Sequence, residues 1–296
     1  MVLVEQLSAT ARLDWRALVA LAKPRLSLLV IFTTGAGLQL APGHLSPWRS
    51  VGILLASSAV VGAANALNSY LERDVDARMR RTCQRPLPQG RMEPQVALIL
   101  ASLVGIFAIG ALYLLANPLT ALLSFVALAL YAWVYTPMKQ ISSWAMLVGA
   151  VPGAIPPLMG YAAVSGELTA AAWSLFGLLF FWQLPHFLAV STYLKDDYAR
   201  GGIRVLPRFC SPRATVWWTL AAALAVLPAS LWPVQAGLGG RLYVVVAVLS
   251  GGLFCGATAA GLRQKVEPGT WARQIFLLSI AYLCVLLVSL LVSHAS

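Results

Sequence analysis

The chain has 296 residues, of which 59% are hydrophobic and 10% charged. A soluble domain carries about 25% charged residues; with a mean hydropathy of +0.78, this composition excludes a soluble globular protein and points to an integral membrane one. The formal net charge of +11 needs no nucleic acid to explain it, because cationic residues retained on one side of a bilayer account for it.

The four cysteines, Cys83, Cys210, Cys255 and Cys284, lie far apart with no C-x-x-C pair. They read as reduced or buried thiols rather than a disulfide framework or a zinc site. The first 20 residues include Glu5 and Asp14 and contain no signal-peptide apolar region. The first membrane helix is therefore expected to act as its own insertion signal.

Nine apolar runs have spanning length, at residues 25–41, 49–71, 94–116, 118–137, 143–164, 168–192, 214–234, 241–262 and 271–293. Each approaches the ~20 residues that cross a bilayer. Asn117-Pro118 splits the 94–137 run, which is too long for one helix. Lys and Arg alternate between the loops. Nineteen fall in the N-terminal segment and after the even-numbered spans; only Arg49 and Arg241 fall on the other side. That bias places the N-terminus in the cytoplasm and, with an odd number of spans, the C-terminus outside. No linker or low-complexity stretch divides the chain, so residues 1–296 read as one polytopic domain.

Six of the ten acidic residues fall in two loops of the cytoplasmic side, Glu72, Asp74, Asp76 and Glu93 in one and Asp196 and Asp197 in the other. Membrane insertion does not require acids there, so a shared site between the loops is the functional reading. Asn68, Glu72 and Asp76 are spaced i, i+4, i+8, which stacks them on one helix face over roughly 12 Å. Their oxygens suit a hard cation such as Mg²⁺. Arg73, Arg78, Arg80, Arg81 and Arg85 supply donors suited to phosphate oxygens. Together these groups fit a Mg²⁺-diphosphate; an ordinary solvated loop with surface ion pairs is the competing reading.

In the sixth predicted span His186 and Gln183 sit at membrane depth, where polar groups face an interior or a cavity. A histidine satisfied by a neighbouring helix is the alternative. Pro185 withdraws a backbone donor beside them. Tyr193, Lys195, Asp196, Asp197 and Tyr198 close that span, and Lys23-Pro24-Arg25 opens the first. The first cluster is either a simple charged helix end or a place for a second Mg²⁺ at Asp197 and a phosphate at Lys195; the second is a topology anchor or adds cations to the same cytoplasmic pocket. The π faces of Tyr131, Tyr135 and Tyr161 can stabilise a carbocation.

The combination Asn68-x-Tyr70-x-Glu72-Arg73-Asp74-x-Asp76-x-x-Met79-x-Arg81-Thr82-x-x-Arg85-Pro86-Leu87 resembles the first signature of the membrane prenyltransferase (UbiA-type) superfamily, in its haem O synthase branch. Trp182-Gln183-x-Pro185-His186-Phe187 with Asp197-Tyr198-x-x-Gly201-Gly202-x-x-x-Leu206-Pro207 resembles the second signature, and Lys23-Pro24-Arg25 the N-terminal element. The resemblance covers nearly the whole chain.

The resemblance implies an all-α bundle of nine transmembrane helices around a central cavity, open to the cytoplasmic side and laterally to lipid. It implies farnesyl diphosphate and protohaem IX (haem B) as substrates, haem O as product and Mg²⁺ as cofactor. On this reading Asn68, Glu72, Asp76 and Asp197 hold the metal. Lys23, Arg25, Arg73, Arg81, Arg85 and Lys195 are the candidate diphosphate donors. His186, Gln183 and Tyr198 lie on the haem side, His186 as iron ligand or water-positioning base. The product would pass to a haem A synthase or a terminal oxidase. A bacterial inner membrane is the expected location, since no transit peptide is evident.

Two departures stand out: Glu72 occupies a position held by Asp in much of the superfamily, and Asp196-Asp197 replaces a repeated Asp-x-x-x-Asp. The second argues against a sister enzyme acting on a quinone precursor. A transporter would place ionisable groups at the bilayer midplane near broken helices, and a haem-carrying assembly factor would not need the carboxylate ladder.

Overall fold

A computed structural model describes residues 15–263 and 267–295, and among these the regular structure is entirely helical. The elements are α1 (Trp15–Ala22), α2 (Pro24–Leu40), α3 (Pro47–Leu71), α4 (Arg73–Asp76), α5 (Pro94–Leu115), α6 (Pro118–Ile141), α7 (Ala145–Ser165), α8 (Ala170–Tyr193), α9 (Lys195–Gly201), α10 (Pro212–Gln235), α11 (Arg241–Leu262) and α12 (Pro268–Ala295). Pro24, Pro47, Pro94, Pro118, Pro212 and Pro268 each open a helix. Proline suits that position because its fixed φ is already helical and its missing N–H would be unpaired there anyway.

Eight described helices are long and apolar enough to cross a membrane, and α1 with α2, bent by 53°, makes a ninth if counted as one broken span. The predicted runs coincide with α2, α3, α5, α6, α7, α8, α10, α11 and α12 to within about four residues at each end. The short helix α1 precedes the first predicted span. Lys23, at the break, has φ +50°, the one positive value at a described non-glycine residue.

Two cores organise the bundle. Ile53, Val60, Leu112, Leu128 and Ile155 join α3, α5, α6 and α7. Leu175, Leu178, Phe254, Ile275 and Leu286 join α8, α11 and α12, with Val226 of α10. Helices α2 and α7 tie the halves together at close range. A Cβ on Gly37 would collide with the Pro157 carbonyl, and one on Gly160 with the Thr34 carbonyl. Small residues that let backbones meet are the usual means of helix association in lipid, where apolar side chains gain nothing from leaving water. Leu103, Val104, Ile106, Phe107, Leu114, Leu249 and Leu253 face outward, which in water would be an aggregation hazard and in hydrocarbon is the expected surface.

Candidate active site

Helix α3 ends at Leu71 on a carboxylate ladder. Glu72 leaves helical geometry (φ −104°), but its N–H still bonds the Asn68 carbonyl at 3.0 Å and the Asp76 N–H bonds the Glu72 carbonyl at 2.7 Å. The i, i+4, i+8 register therefore survives the break. Asn68, Glu72 and Asp76 are all buried, at 3%, 2% and 1% exposure, which overturns the solvated-loop reading. Buried carboxylates are costly unless paired, and each rung has its own cation. Lys23 Nζ donates to Asn68 Oδ1 at 3.2 Å. Lys139 Nζ lies 2.7 Å from Glu72 Oε1, and Arg85 Nη1 bonds Asp76 Oδ2 at 2.6 Å. Asn68 Nδ2 adds bonds to Glu72 Oε2 and Thr136 Oγ1. The second oxygen of Asp76, Oδ1, is buried with no hydrogen-bond partner.

Residues 73–90 fold back over this ladder as a cap. Thr82 Oγ1 bonds the Asp76 carbonyl, and Val75 and Met79 pack on Ile203, Tyr198 and Val205. Asp197 fixes the cap from the other loop. It accepts from the Arg80 and Arg81 backbone N–H groups at 2.8 and 3.3 Å and from Arg200 Nη2 at 2.7 Å. Burial alone would raise the Asp197 pKa, but these hydrogen bonds and the Arg200 charge prevail and hold it below the usual carboxylate range.

Beneath the cap lies a cavity of about 480 Å³, lined by Lys23, Asn68, Glu72, Asp76, Arg81, Arg85, Lys139, Arg204, Tyr198 and His186, among others. Five cations face two carboxylates there, so the cavity favours an anion. An apolar tunnel of about 260 Å³ shares Tyr131, Tyr135 and Phe187 with its wall. The tunnel runs between Val60, Ala64, Leu128, Pro152, Pro156, Leu179 and Trp182. Tyr131 and Tyr135 both reach the junction because residues Leu130–Tyr135 of α6 wind as a π-helix, a local widening frequent at functional sites. Gly149 admits the Tyr135 ring, since a Cβ there would lie 2.6 Å from it.

His186 lines the larger cavity, next in sequence to Phe187, which both spaces share. Its ring stacks on Trp182 at 4.8 Å and lies tilted against Phe276 of α12 at 4.8 Å, and its Nδ1 is 2.8 Å from Ser279 Oγ. Trp182 Nε1 also bonds α12, at the Ser279 carbonyl.

The structure thus gathers Lys23, Asn68, Glu72, Asp76, Arg81, Arg85, His186 and Tyr198 at one cavity. It places four expected groups elsewhere. Asp197 does not line the cavity, because its oxygens are taken by the cap. Arg73 stacks on Tyr70 at 5.0 Å and bonds its carbonyl. Lys195 opens into a separate cleft with Arg213 and Arg263. Gln183 lines the tunnel, its Nε2 donating to the Ala150 and Leu179 carbonyls at 3.1 Å each. The Arg25 side chain lies outside the described residues.

Two cavity residues, Lys139 and Arg204, and the His186 contact Ser279 gave no functional signal in the sequence. Lys139 counts there only toward topology, and Arg204 sits in a basic loop. Ser279 is one serine in an apolar run. Arg204 reaches the cavity because its N–H bonds the Lys139 carbonyl at 3.0 Å.

Among the described residues no three His, Cys, Asp or Glu side chains cluster. A metal here would thus rely on two carboxylates and an amide, with substrate and water oxygens completing the shell, which is the habit of Mg²⁺ rather than of zinc. The unpartnered Asp76 Oδ1 fits that demand.

A helical membrane bundle with an acid ladder and a cationic pocket over an apolar tunnel is the architecture of an enzyme that handles a lipid diphosphate. Residues 29–289 match the UbiA prenyltransferase family, and the chain belongs to that family. Among curated relatives it is 56% identical over 273 residues to the protoheme IX farnesyltransferase of Anaeromyxobacter sp. strain Fw109-5, covering 92% of each chain. It is 44% identical over 266 residues to that of Myxococcus xanthus, covering 90% of each.

Among solved structures, a digeranylgeranylglyceryl phosphate synthase superposes with TM-score 0.79 at 13% identity over 95% of this chain and 98% of that one. A UbiA homolog from Archaeoglobus fulgidus bound to DMAPP and Mg²⁺ gives 0.64 at 15% identity over 92% and 98%. These structural likenesses establish the fold.

Proposed function

We propose that this prenyltransferase moves the farnesyl group of farnesyl diphosphate onto a vinyl group of haem B, with addition of water, giving haem O and diphosphate. The observation that carries the diphosphate half is the buried Asn68–Glu72–Asp76 ladder with a cation on each rung. The haem half rests on the relatives' identity and on His186 at the same cavity.

Asn68, Glu72 and Asp76 would hold Mg²⁺, which supplies Lewis-acid stabilisation of the leaving diphosphate. Before substrate arrives, Lys23, Lys139 and Arg85 neutralise the ladder. When the diphosphate enters, these cations turn from carboxylate to phosphate oxygens, and Arg81 and Arg204 join them from the rim. Charge that develops on the leaving group thus meets donors already in place. The farnesyl chain lies in the tunnel, and Tyr131 and Tyr135 face the allylic carbon with their π clouds as it becomes cationic. The haem vinyl attacks that carbon from the His186 side. Water then adds to the haem-side cation through oxygen and gives up one proton to solvent, leaving the hydroxyl.

The protein is a multi-pass membrane protein; we assign it to a bacterial inner membrane, with residues 73–93 and 194–211 on the cytoplasmic face. The test is direct. Purified protein supplied with haem B, farnesyl diphosphate and Mg²⁺ yields haem O by mass spectrometry, and EDTA or Asp76→Ala abolishes it. Folded protein that returns haem B unchanged refutes the assignment.

A further inference from the structure

Ser279 of α12 is the polar side chain in contact with His186, and its bonding decides which imidazole nitrogen carries the proton. A serine hydroxyl has one proton to give. Here Ser279 Oγ lies 2.7 Å from the Phe276 carbonyl, a group that can only accept, and 2.8 Å from His186 Nδ1, whose role depends on the tautomer. With the hydroxyl proton given to the carbonyl, Ser279 Oγ accepts from Nδ1–H, and Nε2 is left with the lone pair. The ring cannot swing away, because Trp182 and Phe276 hold it at 4.8 Å each. Trp182 is itself tied to α12 through the Ser279 carbonyl at 2.7 Å. Nε2 has no protein partner among the described residues, and the ring lines the central cavity.

We propose that Ser279 is a positioning residue that locks His186 in the Nδ1–H tautomer and so presents Nε2 to the haem substrate as an axial ligand to its iron. A ligating histidine in proteins ordinarily donates its other ring N–H to an acceptor, which orients the ring and raises its basicity. Ser279 Oγ occupies that place. The inference rests on haem being the acceptor substrate, and the tautomer half stands without it. Ser279 does not line the diphosphate pocket, so its loss would affect haem affinity and leave that pocket alone.

Two measurements separate the parts. The first is ¹⁵N NMR of histidine-labelled protein without haem; the chain has only His44, His186 and His294. The His186 signals, assigned by loss in His186→Ala, should show a protonated Nδ1 and a bare Nε2. Ser279→Ala should lose that preference and Ser279→Thr should keep it. A wild-type ring protonated at Nε2 overturns the proposal.

The second is titration with ferric haem B, following the Soret band. Wild type and Ser279→Thr should show the red-shifted band of an imidazole-ligated haem. Ser279→Ala should bind about tenfold more weakly, in line with losing a metal ligand's outer hydrogen bond, and its melting response to Mg²⁺-diphosphate should stay unchanged. Equal haem affinity and spectrum in wild type and Ser279→Ala overturn the proposed role. If His186→Ala keeps the wild-type Soret band, iron ligation by His186 is refuted; the tautomer result then stands by itself.

Discussion

Lys139 is the group whose removal best tests the exchange of cations between carboxylate and phosphate. It lies 2.7 Å from Glu72 Oε1, with its side chain 16% exposed and that of Glu72 3% exposed. Lys139→Met keeps the length of the side chain and removes the charge. Breaking a buried pair on one side costs about 3–5 kcal/mol; Asn68 still donates to Glu72 Oε2 at 3.0 Å, so the low end of that range, about 3 kcal/mol, is expected. For a chain of 296 residues that is a fall of about 5 °C in melting temperature, at ~1.6 °C per kcal/mol.

The double variant Lys139→Met with Glu72→Gln removes both charges and should regain most of that loss. Ligand response is the second readout. A charge-assisted hydrogen bond to phosphate is worth about 1.5–3 kcal/mol, so the single variant should bind Mg²⁺-diphosphate roughly 10- to 100-fold more weakly. Its melting shift at a fixed diphosphate concentration should shrink accordingly. The assay is thermal unfolding in detergent with and without Mg²⁺-diphosphate. If Lys139→Met melts low yet keeps the full diphosphate shift, Lys139 is scaffold and the exchange is refuted. If it melts like wild type, the pair itself carries no stability.

Three further outcomes follow from other parts of the site. A Cβ on Gly153 would occupy the place of Gln183 Oε1, so Gly153→Ala should displace Gln183 from two carbonyls and raise the KM for farnesyl diphosphate about tenfold, with the response to free Mg²⁺-diphosphate intact; an unchanged KM argues against a prenyl chain in this tunnel. Asp197 has a depressed carboxyl pKa in the folded protein, so its contribution is present above the unfolded value near 3.9 and is lost as pH falls through the folded one. Asp197→Asn should therefore lower the melting temperature at pH 7 and flatten its decline below about pH 4, and a variant with the wild-type acid profile would remove Asp197 from the cap's support. Cys83, half-buried in the cap, should react with an impermeant maleimide only after the inner membrane is opened; labelling of intact spheroplasts from outside would invert the orientation.

The spans were legible because the bilayer imposes one dominant signal, a run of apolar residues about 20 long, and here prolines mark where several runs begin. The short helix α1 was not legible, since it carries its own bend at Lys23. The ladder was readable too: Asn68, Glu72 and Asp76 share a helix register whatever surrounds them. What the register does not show is burial, nor the partner of each rung, because Lys23 and Lys139 come from distant parts of the chain. Asp197 illustrates the limit. Its carboxylate suits a metal and suits backbone N–H groups equally well, and only the path of residues 77–81 past it shows that the N–H groups have taken it. The π-helical segment of α6 was likewise silent, because one extra residue in a turn leaves an apolar stretch apolar.

The pairing within the ladder also bears on why the site is built from carboxylates and cations together. A cavity with five cations and no acids would hold diphosphate tightly, and the product diphosphate as tightly as the substrate; uniform binding of that kind does not lower the barrier. With Glu72 and Asp76 buried beside Lys139 and Arg85 at 2.7 and 2.6 Å, each cation has somewhere to return. Release of product diphosphate then restores two buried ion pairs, which offsets the loss of phosphate contacts. On this argument, neutralising one acid frees a cation for phosphate. Asp76→Asn should slow turnover by weakening the metal site, and it should also bind metal-free diphosphate more tightly than wild type does. Calorimetry with EDTA present measures this, and a variant that binds metal-free diphosphate less tightly than wild type would show that Arg85 depends on Asp76 for its position rather than competing with phosphate for it.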